Sequence, residues 1–321
     1  MPTACDHFLR RCAPNADGSR PWALWRHYPL EEYTEPGFVE ATVGFHQKQD
    51  FALWKIGPRS SYAIRDHGAR DEFRGDLLGR PAYLNRVVLE PSDWHRLQVL
   101  DPWTGWQGEI LKAAAAIAAA APANVPVLMT VFSPMTQAKN LCGADALADH
   151  WRHARADLQH GLAILTESTR QFVRALRDLP IHGLFYAIQE CGDPVLGPGY
   201  ADTCAEFDTT LLEENGYPLN LLHLHGAIAD FDRFTRYPAA VLHWDECAAG
   251  ISLEAGADRF GGIVAGGIPW PEPGTPDRET QLRTRRETLL NRMSSRRFLL
   301  SASCVIPWQA TDPEIAACRP R

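Results

Sequence analysis

The sequence has no excess of basic residues and no stretch apolar enough to span a bilayer. Its 32 Lys and Arg stand against 39 Asp and Glu, a formal charge of −7, so we expect no nucleic-acid partner. No stretch reaches the ~18 uninterrupted apolar residues of a membrane helix. Asp6, Arg10 and Arg11 interrupt the amino terminus where a secretory signal needs an apolar run. We therefore expect a cytoplasmic protein with no membrane partner.

Paired cysteines are also missing. The eight cysteines are dispersed, and none forms a Cys-x-x-Cys pair, which argues against a disulfide framework or a zinc ribbon. Only Cys304, at the end of the last predicted strand, falls where chemistry is expected. The remaining composition, 45% hydrophobic and 22% charged, is typical of a globular protein with a large core.

Eight short apolar runs recur along the chain, usually followed by a segment of helical period. Nearly continuous apolarity is typical of parallel strands buried on both faces. Eight strand–helix units favour a (β/α)8 TIM barrel in the α/β class. The alternative, a doubly wound dinucleotide-binding sheet, would require a GxGxxG motif after the first run, and none is present. The predicted strands are 21–26, 50–56, 125–132, 182–189, 219–226, 239–246, 261–268 and 297–303.

The chain is predicted to form one domain over residues 1–321, with 1–18 as a loose amino-terminal extension. An α/β barrel of this length requires no domain boundary. The span 56–125 is too long and too rich in Pro, Gly and polar residues for one connection. We interpret it as an elaborated region after the second strand, over the barrel mouth.

Polar side chains follow most of the predicted strands. In a barrel the carboxyl ends of the strands carry the site. One such residue is explained equally well as a helix cap, but many at one mouth favour a site for a small-molecule substrate. We take Arg26, His27, Lys55 and Gln189 as candidate substrate-binding residues, and Glu190 and Asp245 as candidate catalytic residues.

The HLHG sequence of the fifth predicted strand places His223 and His225 on one side of that strand, because side chains alternate with a period of two. Two imidazoles ~7 Å apart can share a metal ion if a third ligand comes from elsewhere. Cys304 is the candidate third ligand. The pattern alone leaves open two satisfied histidines and a small buried cysteine.

Three stretches resemble the uroporphyrinogen decarboxylase superfamily. SRPWALWRHYPLEEY is similar to its first-strand signature, VPVLMTVFSPMTQAKNLCG to its third-strand segment, and FLLSASCVIPWQATDPEIAA to its closing strand and final helix. The resemblance spans roughly residues 20 to 317 and implies a (β/α)8 barrel. The superfamily also contains zinc-dependent methyltransferases, which move methyl groups between corrinoid proteins and thiols such as coenzyme M.

The decarboxylase motifs are poorly kept. Arg26 matches the first arginine of the first-strand motif, but the second arginine has no counterpart. The third-strand tyrosine is replaced by Asn140, and the histidine of the carboxyl-terminal Gly-His-Gly by Ser303. Decarboxylation of a multiply charged porphyrinogen needs cationic groups to hold its carboxylates, so the resemblance implies another reaction.

The methyltransferase motif, His-x-Cys-Gly with a later cysteine, is better kept. His223, Gly226 and Cys304 match it, whereas His225 replaces its first cysteine. The resemblance thus implies a zinc ion held by His223, His225 and Cys304. Glu190 is then a candidate fourth ligand or proton acceptor.

Further roles follow from the same interpretation. Asp245 or Glu246 is expected either to orient a metal-bound imidazole or to cap the next helix. Arg26 is expected to hold a carboxylate or phosphate of the substrate through its planar fork.

We therefore expect a zinc-dependent methyl or alkyl transferase that activates a thiol, with a corrinoid protein as candidate partner and donor. The first alternative is a uroporphyrinogen decarboxylase-like lyase acting on a porphyrinogen or a smaller carboxylate, with the histidines as acid and base. The second is a barrel that binds a ligand without catalysis.

Overall fold

The computed structural model describes residues 3–14, 20–189 and 198–320. Seven of its strands form one parallel sheet in chain order, and β2 and β3 form a separate antiparallel pair. The strands are β1 (Trp54–Ile56), β2 (Asp71–Phe73), β3 (Pro81–Tyr83), β4 (Val127–Phe132), β5 (Gly183–Ile188), β6 (Leu221–Leu224), β7 (Val241–Trp244), β8 (Ile263–Ile268) and β9 (Phe298–Ala302).

Helices alternate with the strands of the parallel sheet, as the sequence predicts. The long helical segment before β5 is two helices, α5 and α6, separated at Ala154. The helices are α1 (Ala4–Arg11), α2 (Glu35–Gln47), α3 (Gly105–Ala120), α4 (Pro134–Cys142), α5 (Ala144–His153), α6 (Arg155–Leu176), α7 (Pro198–Glu214), α8 (Phe231–Phe234), α9 (Glu246–Ala249), α10 (Leu253–Ala257), α11 (Arg278–Arg292) and α12 (Asp312–Ala317).

The first predicted strand is not a regular strand. Trp22 forms a single parallel bridge with Leu300 of β9, because Pro21 has no N–H with which to extend the ladder. The segment nevertheless joins both edges of the sheet: Ala23 N–H donates to the Leu300 carbonyl over 3.0 Å, and Ala52 N–H donates to the Trp22 carbonyl over 2.8 Å. These bonds connect β9 to the chain just before β1 and close the (β/α)8 barrel.

The central strands are buried along their whole length. Every residue of β4, β5 and β8 is buried, as expected for strands with helices on one face and the barrel interior on the other. Large side chains fill the interior, including Trp25, which packs edge-on against Phe185 with ring centroids 5.1 Å apart. This interior forms the floor beneath the barrel mouth.

The expectation of a loose extension over 1–18 is wrong for residues 3–14, the part of this segment that the structure describes. Helix α1 lies there, with Phe8 only 1% exposed. After the helix, the Cys12 carbonyl accepts a hydrogen bond from Phe298 N–H of β9 over 3.0 Å. Burial of Phe8 and this backbone bond attach the segment to the barrel. In the described ranges, no helix has both the length and the apolar character that crossing a membrane requires.

Candidate functional site

A cavity of about 190 Å³ lies at the carboxyl ends of the parallel strands. Residues of the span 56–125 form part of its wall, so this span contributes to the barrel mouth. The polar lining residues are His27, Lys55, Ser60, Arg80, Tyr83, Thr130, Lys139, Asn140, Gln189, His223, His225 and Cys304.

Strand β6 supplies the two imidazoles. His223 is the third residue of the strand, and His225 follows its end with the backbone N–H still bonded to the Ile188 carbonyl over 2.9 Å. Both side chains therefore reach the cavity, as their spacing predicts. Gly226 then takes a φ of 80°, a conformation that favours glycine, and the chain turns directly after His225.

Cys304 follows β9, and its side chain approaches the two imidazoles from across the barrel mouth. Its Sγ lies 3.9 Å from His223 Nε2 and 3.6 Å from His225 Nδ1. The three potential ligand atoms lie within 4.8 Å of one another. Tetrahedral zinc, with bonds of ~2.0–2.1 Å to nitrogen and ~2.3 Å to sulfur, keeps such ligands about 3.6 Å apart. The donor set and spacing therefore fit a zinc ion after small side-chain adjustments.

Burial sets the protonation preferences of this cluster. It lowers the pKa of His223 well below its usual value, and neighbouring His243, His225 and Lys55 lower it further. Burial likewise lowers the pKa of His225 and raises that of the Cys304 thiol. The imidazoles are thus held neutral, the form that binds metal, whereas the thiol would release its proton on binding.

A second buried histidine lies behind the first. His223 Nδ1 is 2.7 Å from Nδ1 of His243, and His243 Nε2 is 2.9 Å from the Ala302 carbonyl of β9. The two histidines face each other because they are in register on the neighbouring strands β6 and β7. His223 Nε2 remains directed towards Cys304.

Lys55 of β1 is an ammonium group placed among aromatic rings. The residue is 7% exposed, and its Nζ lies 4.2 Å from the Phe185 ring centroid and 5.8 Å from that of Trp25. Gly57 provides space for the amine, because a Cβ there would be 3.1 Å from Nζ. Desolvation lowers the pKa of Lys55 to about 8. An anion bound beside the ammonium would offset this desolvation cost.

Cationic side chains dominate the charged part of the cavity. Lys55, Arg80 and Lys139 line it, while no Asp or Glu is among its lining residues in the described ranges. Arg80 is also bound to Asp76, with Arg80 Nη2 2.7 Å from the carboxylate. The lining favours a substrate that carries a negative charge.

The other predicted substrate-binding residues divide into two groups. His27 and Gln189 line the cavity with Lys55, and burial lowers the pKa of His27 to about 3. Arg26 is not among the lining residues. Its guanidinium lies 4.7 Å from the Phe45 ring centroid and donates to main-chain carbonyls of the carboxyl-terminal segment. This placement indicates a structural role.

The predicted carboxylates Asp245 and Glu246 make their contacts outside the cavity. Asp245 is not a lining residue and accepts hydrogen bonds from the N–H groups of Cys247 and Ala248, so it caps α9. Glu246 forms an ion pair with Arg292 at 2.9 Å. The capping alternative therefore describes Asp245, whereas Glu246 is held by Arg292. Glu190 lies outside the described residues.

Sequence reasoning missed His243, Arg80 and Tyr83. His243 stands in the middle of the VLHW run, but only the register of β7 against β6 reveals its partner. Arg80 and Tyr83 come from the span 56–125, where no periodicity indicates which side chains turn towards the mouth.

No protein-family model matches the chain, and no curated protein matches it in sequence. Its structure is similar to that of a methyltransferase from Methanosarcina mazei, with a TM-score of 0.82 and 13% identity over 99% of this chain and 97% of the other. It is also similar to a B12-independent methionine synthase from Shewanella sp. W3-18-1 in complex with selenomethionine, with a TM-score of 0.58 and 12% identity over 95% and 94% of the two chains.

At these identities the similarity establishes the fold. The chain has the (β/α)8 barrel of these enzymes along nearly its whole length. This confirms the fold that the resemblance to the uroporphyrinogen decarboxylase superfamily implies.

Proposed function

We propose that the protein is a zinc-dependent methyltransferase that activates a thiol substrate. The observation that carries the proposal is the convergence of His223, His225 and Cys304, whose ligand atoms lie within 4.8 Å of one another at the cavity. The names of the two structural neighbours, a methyltransferase and a methionine synthase, support transfer of a methyl group.

Three protein ligands leave one tetrahedral position for a substrate, as in catalytic zinc sites. A zinc ion there supplies Lewis acidity, which favours the thiolate form of a substrate thiol. A set with His225 in place of cysteine carries one thiolate fewer, so it is more positive. We expect it to lower the pKa of the substrate thiol further and to leave its sulfur less nucleophilic.

The cavity supports a small anionic thiol as substrate. Its volume of about 190 Å³ is below the ~300–1,000 Å³ of sites for drug-sized ligands, which argues against a porphyrinogen. Lys55 is placed to bind the anionic group, and Gln189 and His27 line the same cavity.

In the proposed transfer, the substrate sulfur donates an electron pair to the methyl carbon. The new S–C bond forms as the bond between that carbon and its donor breaks, and the electron pair of the broken bond stays with the donor. The thiol proton leaves to Glu190 or to water. A methylated corrinoid on a partner protein is the candidate donor.

The first test is metal content. We expect about one zinc per chain in protein purified after growth with zinc, measured by mass spectrometry of the metal. Cys304→Ser should reduce zinc to a small fraction, because the remaining histidines form an incomplete site. Cys247→Ser is the matched control, since Cys247 is an exposed free cysteine away from the cavity. Wild-type protein without zinc would overturn the proposal.

The cationic lining also supports one alternative, a metal-free lyase acting on a small carboxylate. In that case Lys55 holds the carboxylate and the histidines act as acid and base. The lyase alternative is favoured over the methyltransferase if the wild type binds no zinc and Cys304→Ser keeps full activity.

A further inference from the structure

The pair formed by His223 and His243 limits where its protons can be. The Ala302 carbonyl is only an acceptor, so the His243 Nε2 that lies 2.9 Å from it carries a hydrogen. A neutral His243 then has a bare Nδ1. Because this Nδ1 is 2.7 Å from His223 Nδ1, the hydrogen between them belongs to His223.

His243 has the surroundings of a neutral imidazole. It is fully buried on β7, and its ring packs edge-on against Trp25 with centroids 5.0 Å apart. In the described ranges, the hydrogen-bond partners of its ring are His223 and the Ala302 carbonyl, and neither is a carboxylate.

We propose that His243 is a positioning residue that fixes the tautomer and orientation of His223. The Ala302 carbonyl orients His243, and His243 in turn holds the hydrogen of His223 on Nδ1. His223 Nε2 is thereby left bare, 3.9 Å from Cys304 Sγ. It is the nitrogen that a metal would bind.

The order of strands gives the proposal its physical basis. β6 carries His223, β7 carries His243 in register with it, and β9 carries Ala302. The backbone of β9 thus determines, through His243, the tautomer of His223 on β6. Metal-binding histidines generally need such an outer partner, whose removal costs about 10–100-fold in metal affinity.

The tautomers are tested first in metal-free wild-type protein, independently of the proposed function. Long-range proton–nitrogen NMR of histidine-labelled full-length chain should show His223 protonated at Nδ1 and His243 at Nε2. The His223 signals are assigned by their loss in His223→Gln. Protonation of His223 at Nε2, or of His243 at Nδ1, overturns the proposal.

The effect on the metal rests on the proposed function and is tested with two variants. In His243→Asn, the side-chain oxygen takes the place of Nδ1 and can accept from His223. In His243→Phe, the ring volume is kept and the acceptor is lost. We expect zinc affinity, measured by competition with a chromophoric chelator, to fall about 10–100-fold in the Phe variant and to stay within about threefold of wild type in the Asn variant.

The two variants separate positioning from packing. If His243 only filled space against Trp25, the smaller Asn would be the more damaging replacement. Asn binding zinc more weakly than Phe, or both variants matching wild type, would therefore overturn the proposal. Failure of wild type to bind zinc would remove the proposed function but leave the NMR result on the tautomers standing.

Discussion

Lys55 occupies a position that costs stability. Its ammonium is buried over Phe185, and desolvation lowers its pKa to about 8 from 10.5. A Met in its place would fill the same space without that cost, which corresponds to up to about 3 kcal/mol. Groups that reduce stability in this way often serve function.

We expect Lys55→Met to raise the thermal unfolding midpoint and to weaken binding of an anionic thiol. Losing a charged hydrogen-bond partner costs about 1.5–3 kcal/mol. Calorimetry on the zinc-loaded variant should therefore show that its affinity for mercaptoacetate is about tenfold or more below that of wild type. Mercaptoethanol, which is uncharged and of similar size, should change little.

Lys48→Met is the control, because Lys48 pairs with Asp312 at the surface. An equal loss of affinity for both thiols in Lys55→Met would contradict a role for this residue in anion binding.

Helix α7 is attached to the barrel through a buried carboxyl group. Asp208 of α7 accepts a hydrogen bond from Tyr186 of β5 over 2.7 Å, and Tyr237 lies 3.4 Å from its other oxygen. Burial raises the pKa of Asp208 to about 7 from 3.8. Between about pH 4 and 7 the folded protein thus holds a proton there that the unfolded chain has already released.

This shift predicts a pH-dependent stability with a definite sign. Because the folded state binds more protons in this window, the contribution of Asp208 to the free energy of unfolding decreases as the pH rises from about 4 to 7. Asp208→Asn imitates the protonated carboxyl. Its stability relative to wild type should therefore increase over the same window, by as much as about 4 kcal/mol.

Urea unfolding at several pH values measures this difference. Asp202→Asn is the control on the same helix, since Asp202 is exposed and pairs with Arg233. The difference in free energy of unfolding between Asp202→Asn and wild type should stay constant across this pH window. A constant difference between Asp208→Asn and wild type would mean that Asp208 is ionised throughout.

Across the whole molecule, Arg26 connects the start of the barrel to its end. Its Nη1 donates to the carbonyls of Trp308 over 3.2 Å and Ala310 over 3.4 Å. Lysine keeps the charge but lacks the planar fork. We expect Arg26→Lys to lower the free energy of unfolding by about 1–2 kcal/mol and to leave zinc content unchanged.

Denaturant unfolding and metal analysis of the same preparations test this expectation. Arg10→Lys is a suitable control, because Arg10 is exposed on α1. Unchanged stability together with weakened substrate binding in Arg26→Lys would instead support the substrate-binding role that the sequence predicted.

The sequence by itself determined the parts of the protein that depend on local periodicity. Continuous apolar runs predicted buried parallel strands, since both faces of such strands must be covered. The two-residue spacing in HLHG placed His223 and His225 on one side, and the position of Cys304 after the last strand placed it at the closure. The confirmed barrel and the convergence of these three side chains follow from such patterns.

Only the tertiary structure decided which groups lie opposite one another. The pairing of His243 with His223 depends on the register between β6 and β7, and the direction of Arg26 depends on where the carboxyl-terminal segment packs. Likewise, Trp22 closes the barrel through a single bridge, although its apolar surroundings resemble a full strand. The pairing of strands and the direction of side chains result from contacts between residues far apart in sequence, which local periodicity does not specify.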